Sequence, residues 1–143
     1  MILCEQNLAQ FHFDFSFHLF EQIAKKLTDK DIELVVVEEE AMREINKAQR
    51  GIDKATDVLS FPLQSIGNLP LGSILINANA VKNEAKLRGH SEESEFALLF
   101  MHGLLHLLGF NHETDSGEMR AKEKELITHF QLPQSLIIRN EAS

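Results

Sequence analysis

The sequence predicts an α+β fold: a small mixed sheet of about four strands packed with about five helices in a single domain. Apolar residues recur at helical spacing in five segments, and four short runs are alternating, apolar or β-branched. At 143 residues, the chain is of a size that buries ~68–70% of its unfolded surface around one core. No internal repeat, low-complexity tract or linker divides it, so residues 1–143 read as one domain, with 134–143 a loosely held tail.

Elements follow in chain order. An apolar start reads as a strand. Phe13, Phe17, Phe20, Ala24 and Leu27 predict an amphipathic helix over about 15–27, with Asp14 or Ser16 as its cap. Ile32 to Val37 is a β-branched strand run. Glu38, Glu39 and Glu40 suit the positive end of a helix dipole, and Met42, Ile45 and Ala48 give that helix its inward stripe up to Arg50 and Gly51. Leu59, Phe61 and Leu63 alternate, while Pro62 places the segment at a sheet edge or strand end. Gly67, Asn68 and Pro70 mark a loop before a short strand at about 71–77.

Residues 78–88 then read as a helix with Ala78, Val81 and Ala85 inward, Lys82 and Lys86 on an exposed flank, and Gly89 as its stop. Ser91 is the expected cap of the next helix, which Gly109 ends. Asp115 and Glu118, at capping-box spacing, open a last helix with Met119, Leu126, Ile127 and Phe130 inward.

Composition removes several function classes. Hydrophobic residues at 43% and charged residues at 25% exclude a disordered or fibrous chain. A net charge of −8 argues against coating nucleic acid through a general basic surface, so RNA contacts must be local and no DNA partner is expected. The single cysteine, Cys4, cannot form an internal disulfide, and the N-terminal residues lack a signal-peptide pattern, which together predict a cytoplasmic protein. The most apolar window, 96–110, is shorter than the ~20 residues of a membrane span.

The chemistry is concentrated in HGLLHLLGFNH, residues 102–112. Histidines four apart on a helix share a face, so His102 and His106 can present two ring nitrogens to one point. Gly109 lets the chain reverse, and Phe110 and Asn111 form a short lead that can return His112 to the same point. Three imidazoles around one Zn²⁺ leave a fourth position open, the usual form of a catalytic zinc site. Leu104, Leu105, Leu107 and Leu108 would pack the helix, and Gly103 would let another element approach closely. The spacing matches that of metzincin proteases, but Gly103 stands where they carry the general-base glutamate. A metallopeptidase is therefore a lesser alternative. His12, His18, His90 and His129 show no ligand spacing and read as surface or core residues.

Together with RGIDKATDVLSFP at residues 50–62, this stretch closely resembles the YbeY family of bacterial endoribonucleases and rRNA maturation factors. The resemblance implies a zincin-like fold with one zinc ion held by His102, His106 and His112. It also implies cleavage of single-stranded RNA in 3′-end maturation of small-subunit (16S) rRNA and in ribosome quality control, with ribosomes or small subunits as partners. The family's functional arginine maps onto Arg50, whose guanidinium can fork onto phosphate oxygens as a substrate-binding and catalytic group. Lys54 could add to a positive rim for substrate. Asp57 reads as a structural loop residue.

This chain departs from the resemblance at Ser73, where the family often has aspartate, and at Phe110 and Asn111 before the third histidine. The first change removes a carboxylate near the expected cleft. A zinc-containing ribosome-assembly factor without catalytic activity is the alternative from another class.

Overall fold

A computed structural model describes residues 2–9, 13–63, 71–111 and 113–132. The elements are β1 (Ile2–Asn7), α1 (His18–Leu27), β2 (Ile32–Val37), α2 (Glu39–Arg50), β3 (Val58–Pro62), β4 (Gly72–Asn77), α3 (Ala78–Arg88), α4 (Glu92–Leu107) and α5 (Glu118–Phe130). Strands lie in the order β1-β2-β4-β3. The first three are parallel, and β3 runs antiparallel to β4 at the edge.

Period-two alternation along the strands divides the core. Ile32, Leu34 and Val36 of β2 and Ile74 and Ile76 of β4 are almost wholly buried and pack with α1, α3 and α4. On the opposite face, Val37, Leu59 and Leu75 meet Met42 of α2. Both faces of the central strands are therefore covered, which explains why β2 reads as an unbroken apolar run after Glu33.

The spine of the larger core is α4, buried on every side from Glu95 to Leu105. Its Phe96 stacks on Phe20 of α1 with ring centroids 4.7 Å apart, and Phe13, Phe15 and Phe17 converge on the same ring. That convergence corrects the reading of the N-terminal aromatic pattern. Phe13 and Phe17 precede the helix, which begins at His18 without a side-chain cap from Asp14 or Ser16.

Pro62 sits both at a sheet edge and at a strand end. Leu63 N donates to Leu71 O and Asn77 N donates to Asp57 O, so the odd-numbered residues of β3 pair inward. Pro62 thus lies at an outward position, where a missing N–H costs the ladder nothing.

Two further expectations change. Ala48 is exposed, and buried Asn46 takes the inward position on α2 instead. The last helix begins at Glu118 rather than Asp115, although Asp115 still caps it by accepting from Gly117 N and Met119 N. The loop residues 67, 68 and 70, His12 and the 134–143 tail lie outside the described residues. No described helix is long and apolar enough to cross a membrane.

Candidate metal centre

The last two turns of α4 carry His102 and His106 on one face, with Nε2 atoms 3.2 Å apart and rings nearly perpendicular. The helix then ends in a defined stop. Gly109, at φ +97°, donates its N–H to His106 O, and Phe110 N donates to Leu105 O. These two bonds make a Schellman motif, for which a residue at positive φ is required.

The reversal returns the Phe110 carbonyl to the His106 ring, where it accepts from Nδ1 at 3.0 Å. A carbonyl can only accept, so the Nδ1 proton is fixed and Nε2 carries the lone pair in the neutral ring. For His102 the partner is the carboxylate of Glu123 on α5, with Oε2 2.8 Å from Nδ1. Both imidazoles therefore turn Nε2 toward a shared point, oriented by acceptors on the far side of each ring.

At 3.2 Å the two Nε2 atoms are placed to share one cation between them, a proton or a metal ion. The spacing is close to the roughly 3.3 Å edge expected between two ligands with Zn–N bonds of about 2.0–2.1 Å at a tetrahedral angle. The pair thus fits a divalent cation. Among the described residues no third metal-binding side chain completes a cluster, and His112 lies outside them. Its neighbours are held: Asn111 O accepts from Thr114 N and Asp115 N, and Asn111 Oδ1 accepts from Glu113 N. A cavity of about 410 Å³ opens beside this turn, lined by residues including Phe110, Asn111, Thr114 and Ser116.

Gly103, between the histidines, meets the sheet. A Cβ there would lie 3.0 Å from Ile74 Cγ2 and 3.1 Å from both Ser60 Oγ and Val58 Cγ2. Ser60 Oγ also donates to Gly103 O at 2.8 Å. The close approach expected at this glycine is therefore real, and β3 is fastened directly between the two histidine positions.

Upstream of β3 runs the loop that begins after Arg50. Gly51 ends α2 in the left-handed conformation and donates to Lys47 O. Asn46 Nδ2 then holds Lys54 O at 2.8 Å, and Asn77 Nδ2 holds Thr56 O at 3.1 Å. Arg43 bonds Asp53 at 2.8 Å and, chiefly through that hydrogen bond, holds its carboxyl below the ordinary carboxylate range. With the backbone so pinned, Arg50 and Lys54 are exposed and make no side-chain hydrogen bond or ion pair with another described residue. At the end of this loop the Asp57 backbone carbonyl accepts from Asn77 N.

Sequence reading missed Glu123, Asn46 and Asn77. Glu123 had a usable signal: it falls between Met119 and Leu126 on the core-facing stripe of α5, where a carboxylate needs a reason. Ser73 lies on the same face of β4 as Leu75, the side covered by α2. Its hydroxyl donates to Glu33 Oε1 at 2.6 Å, placing a carboxylate from the neighbouring strand beside the position where the resemblance would put aspartate. Of the other histidines, His90 is tied to buried Glu95 at 2.8 Å, while His18 and His129 are exposed.

A mixed sheet with an antiparallel edge strand fastened to a histidine-bearing helix defines a single-domain α+β protein built around a candidate metal centre. A family model described as Endoribonuclease YbeY matches residues 5–131, and the chain belongs to that family. Among relatives, the chain is 59% identical over 125 residues to a protein from Nitratiruptor sp., covering 87% of each chain. It is 60% identical over 123 residues to one from Wolinella succinogenes, covering 86% of this chain and 88% of the other. Both are named Endoribonuclease YbeY. A solution structure of a Thermotoga maritima protein aligns with a TM-score of 0.59 at 26% identity, covering 91% of this chain and 89% of that one.

Proposed function

We propose that the protein is a zinc-dependent endoribonuclease that cuts single-stranded RNA, acting in 16S rRNA 3′-end maturation and ribosome quality control. The observation that carries this reading is the pair of imidazoles set Nε2 to Nε2 at 3.2 Å, within a chain whose relatives are named endoribonucleases. His102, His106 and His112 would hold one zinc ion. When bound, it supplies Lewis-acid polarisation of a phosphoryl oxygen and activation of a nucleophile at neutral pH.

The chain's own groups do the rest. Arg50 closes α2 with Lys47 in the same last turn, and Lys54 lies on the loop leading into β3. These cations give an acidic protein a local foothold for phosphate, and the planar guanidinium of Arg50 can take two oxygens at once. Arg50 offsets the charge that builds on the phosphoryl group as the new P–O bond forms and the bond to the leaving oxygen breaks. The cavity beside the turn that follows α4, lined by Phe110, Asn111 and Thr114 among others, offers room for a nucleotide-sized group. The proposed partners are ribosomes or small subunits, and the proposed compartment is the cytoplasm.

The peptidase alternative is weakened by packing: position 103 points at Val58, Ser60 and Ile74, with no room for a glutamate in this arrangement. The test is cleavage of an end-labelled single-stranded RNA with and without chelator, beside identically purified His106→Ala protein. Chelator-sensitive cleavage missing from the variant supports the reading. Equal cleavage in both, or none by zinc-loaded protein, moves it to the assembly factor. A 2′,3′-cyclic phosphate at the product end would identify the ribose 2′-hydroxyl as nucleophile, and a linear phosphate would point to water.

A further inference from the structure

We infer that Glu123 is a positioning residue that makes the docking of α5 on α4 conditional on a bound divalent ion, an inference that rests on the metal reading above. Helix α5 buries only Met119, Glu123 and Leu126 fully, and the centre of that stripe is a carboxylate at 0% exposure. Oε2 accepts from His102 Nδ1, while Oε1 has no hydrogen-bond partner among the described residues. One hydrogen bond to one of its two oxygens is poor compensation for a carboxylate taken out of water.

The other buried carboxylate is placed differently. Glu95 lies in the first turn of α4, where the helix dipole favours negative charge, and is bonded by His90. Glu123 is in the middle of its helix. The opposing charge it needs is available from the far side of the His102 ring, where a cation at Nε2 polarises the Nδ1–H toward the carboxylate. Glu123 therefore works against the packing of α5 in metal-free protein and for it once the ion is bound. The sign of its contribution reverses with the metal.

The experiment compares wild type, Glu123→Gln and Glu123→Leu. Zinc affinity is measured by competition with a chromophoric chelator, and thermal unfolding is followed both in chelator and with saturating zinc. Both variants should bind zinc about 10–100-fold more weakly, with the larger loss in Glu123→Leu, and should melt below wild type when zinc is present. Without metal they should melt at or above the wild-type temperature. Zinc should also slow amide exchange across Glu118–Phe130 in the wild type.

Wild-type zinc affinity in both variants would overturn the inference, as would a metal-free melting temperature lowered as far as the zinc-loaded one, the mark of an ordinary core residue. Unchanged α5 exchange on adding zinc would do the same. Failure of wild type to take up zinc would instead bring down the metal reading itself.

Discussion

Replacing Gly103 by alanine adds one methyl group where β3 and β4 press on α4. Three atoms would stand 3.0–3.1 Å from the new Cβ, closer than van der Waals contact allows without movement. Two effects oppose each other. Alanine in a helix interior is favoured over glycine by about 0.8–1 kcal/mol, whereas overpacking a filled core costs roughly 1–3 kcal/mol. Moving the strand also stretches the 2.8 Å bond from Ser60 to Gly103 O, which contributes about 0.5–1.5 kcal/mol. The balance predicts a net destabilisation of about 2 kcal/mol. Urea unfolding of metal-free protein should show a lower midpoint with unchanged slope. A midpoint above wild type would mean that propensity wins and that the strand does not bear on the helix, refuting the packing argument.

Other perturbations probe separate parts of the structure. Arg50→Ala should retain wild-type zinc content while losing RNA cleavage or binding, and His106→Ala should lose zinc; metal analysis of both proteins checks the division. Phe20→Ala should cost about 3–5 kcal/mol in denaturant unfolding, because this fully buried ring stacks on Phe96. Asn77→Ala should cost about 1–2 kcal/mol for the cap alone and also releases Thr56 O. The pair of Arg43 with Asp53 should stabilise slightly above the unfolded carboxyl pKa and lose that effect as pH falls through the lower folded value. Wild type and Asp53→Asn should then differ in urea midpoint at neutral pH and converge in acid.

The sequence carried most of the fold because its signals were local. β2 could be read from β-branched residues, and α4 from Ser91 at one end and Gly109 at the other. Errors arose where tertiary contacts override periodicity. Phe13 and Phe17 fall at helical spacing but are placed by the ring of Phe96, which is far away in sequence. Asn46 is buried on α2 because the 51–57 loop needs a donor for Lys54 O, a demand no window along α2 can reveal.

The same contrast holds at the candidate site. The i,i+4 spacing brought His102 and His106 together, and a glycine at the right offset gave the reversal. The atoms that select each ring's tautomer, Phe110 O and Glu123 Oε2, have no such pattern. One is a backbone carbonyl positioned by a Schellman turn, and the other lies on a helix 21 residues away in sequence from its histidine.

Since α4 is enclosed on every side from Glu95 to Leu105, its amides there should be among the slowest of the molecule to exchange with solvent, and the two imidazoles ride on that element. A reactive centre built on an axle of this kind has little freedom to be tuned by shifting its own support. Control over it must be exercised from the periphery, through α5 or the 51–57 loop. Mutations that damage α4 should accordingly remove the protein from the cell before they alter its selectivity.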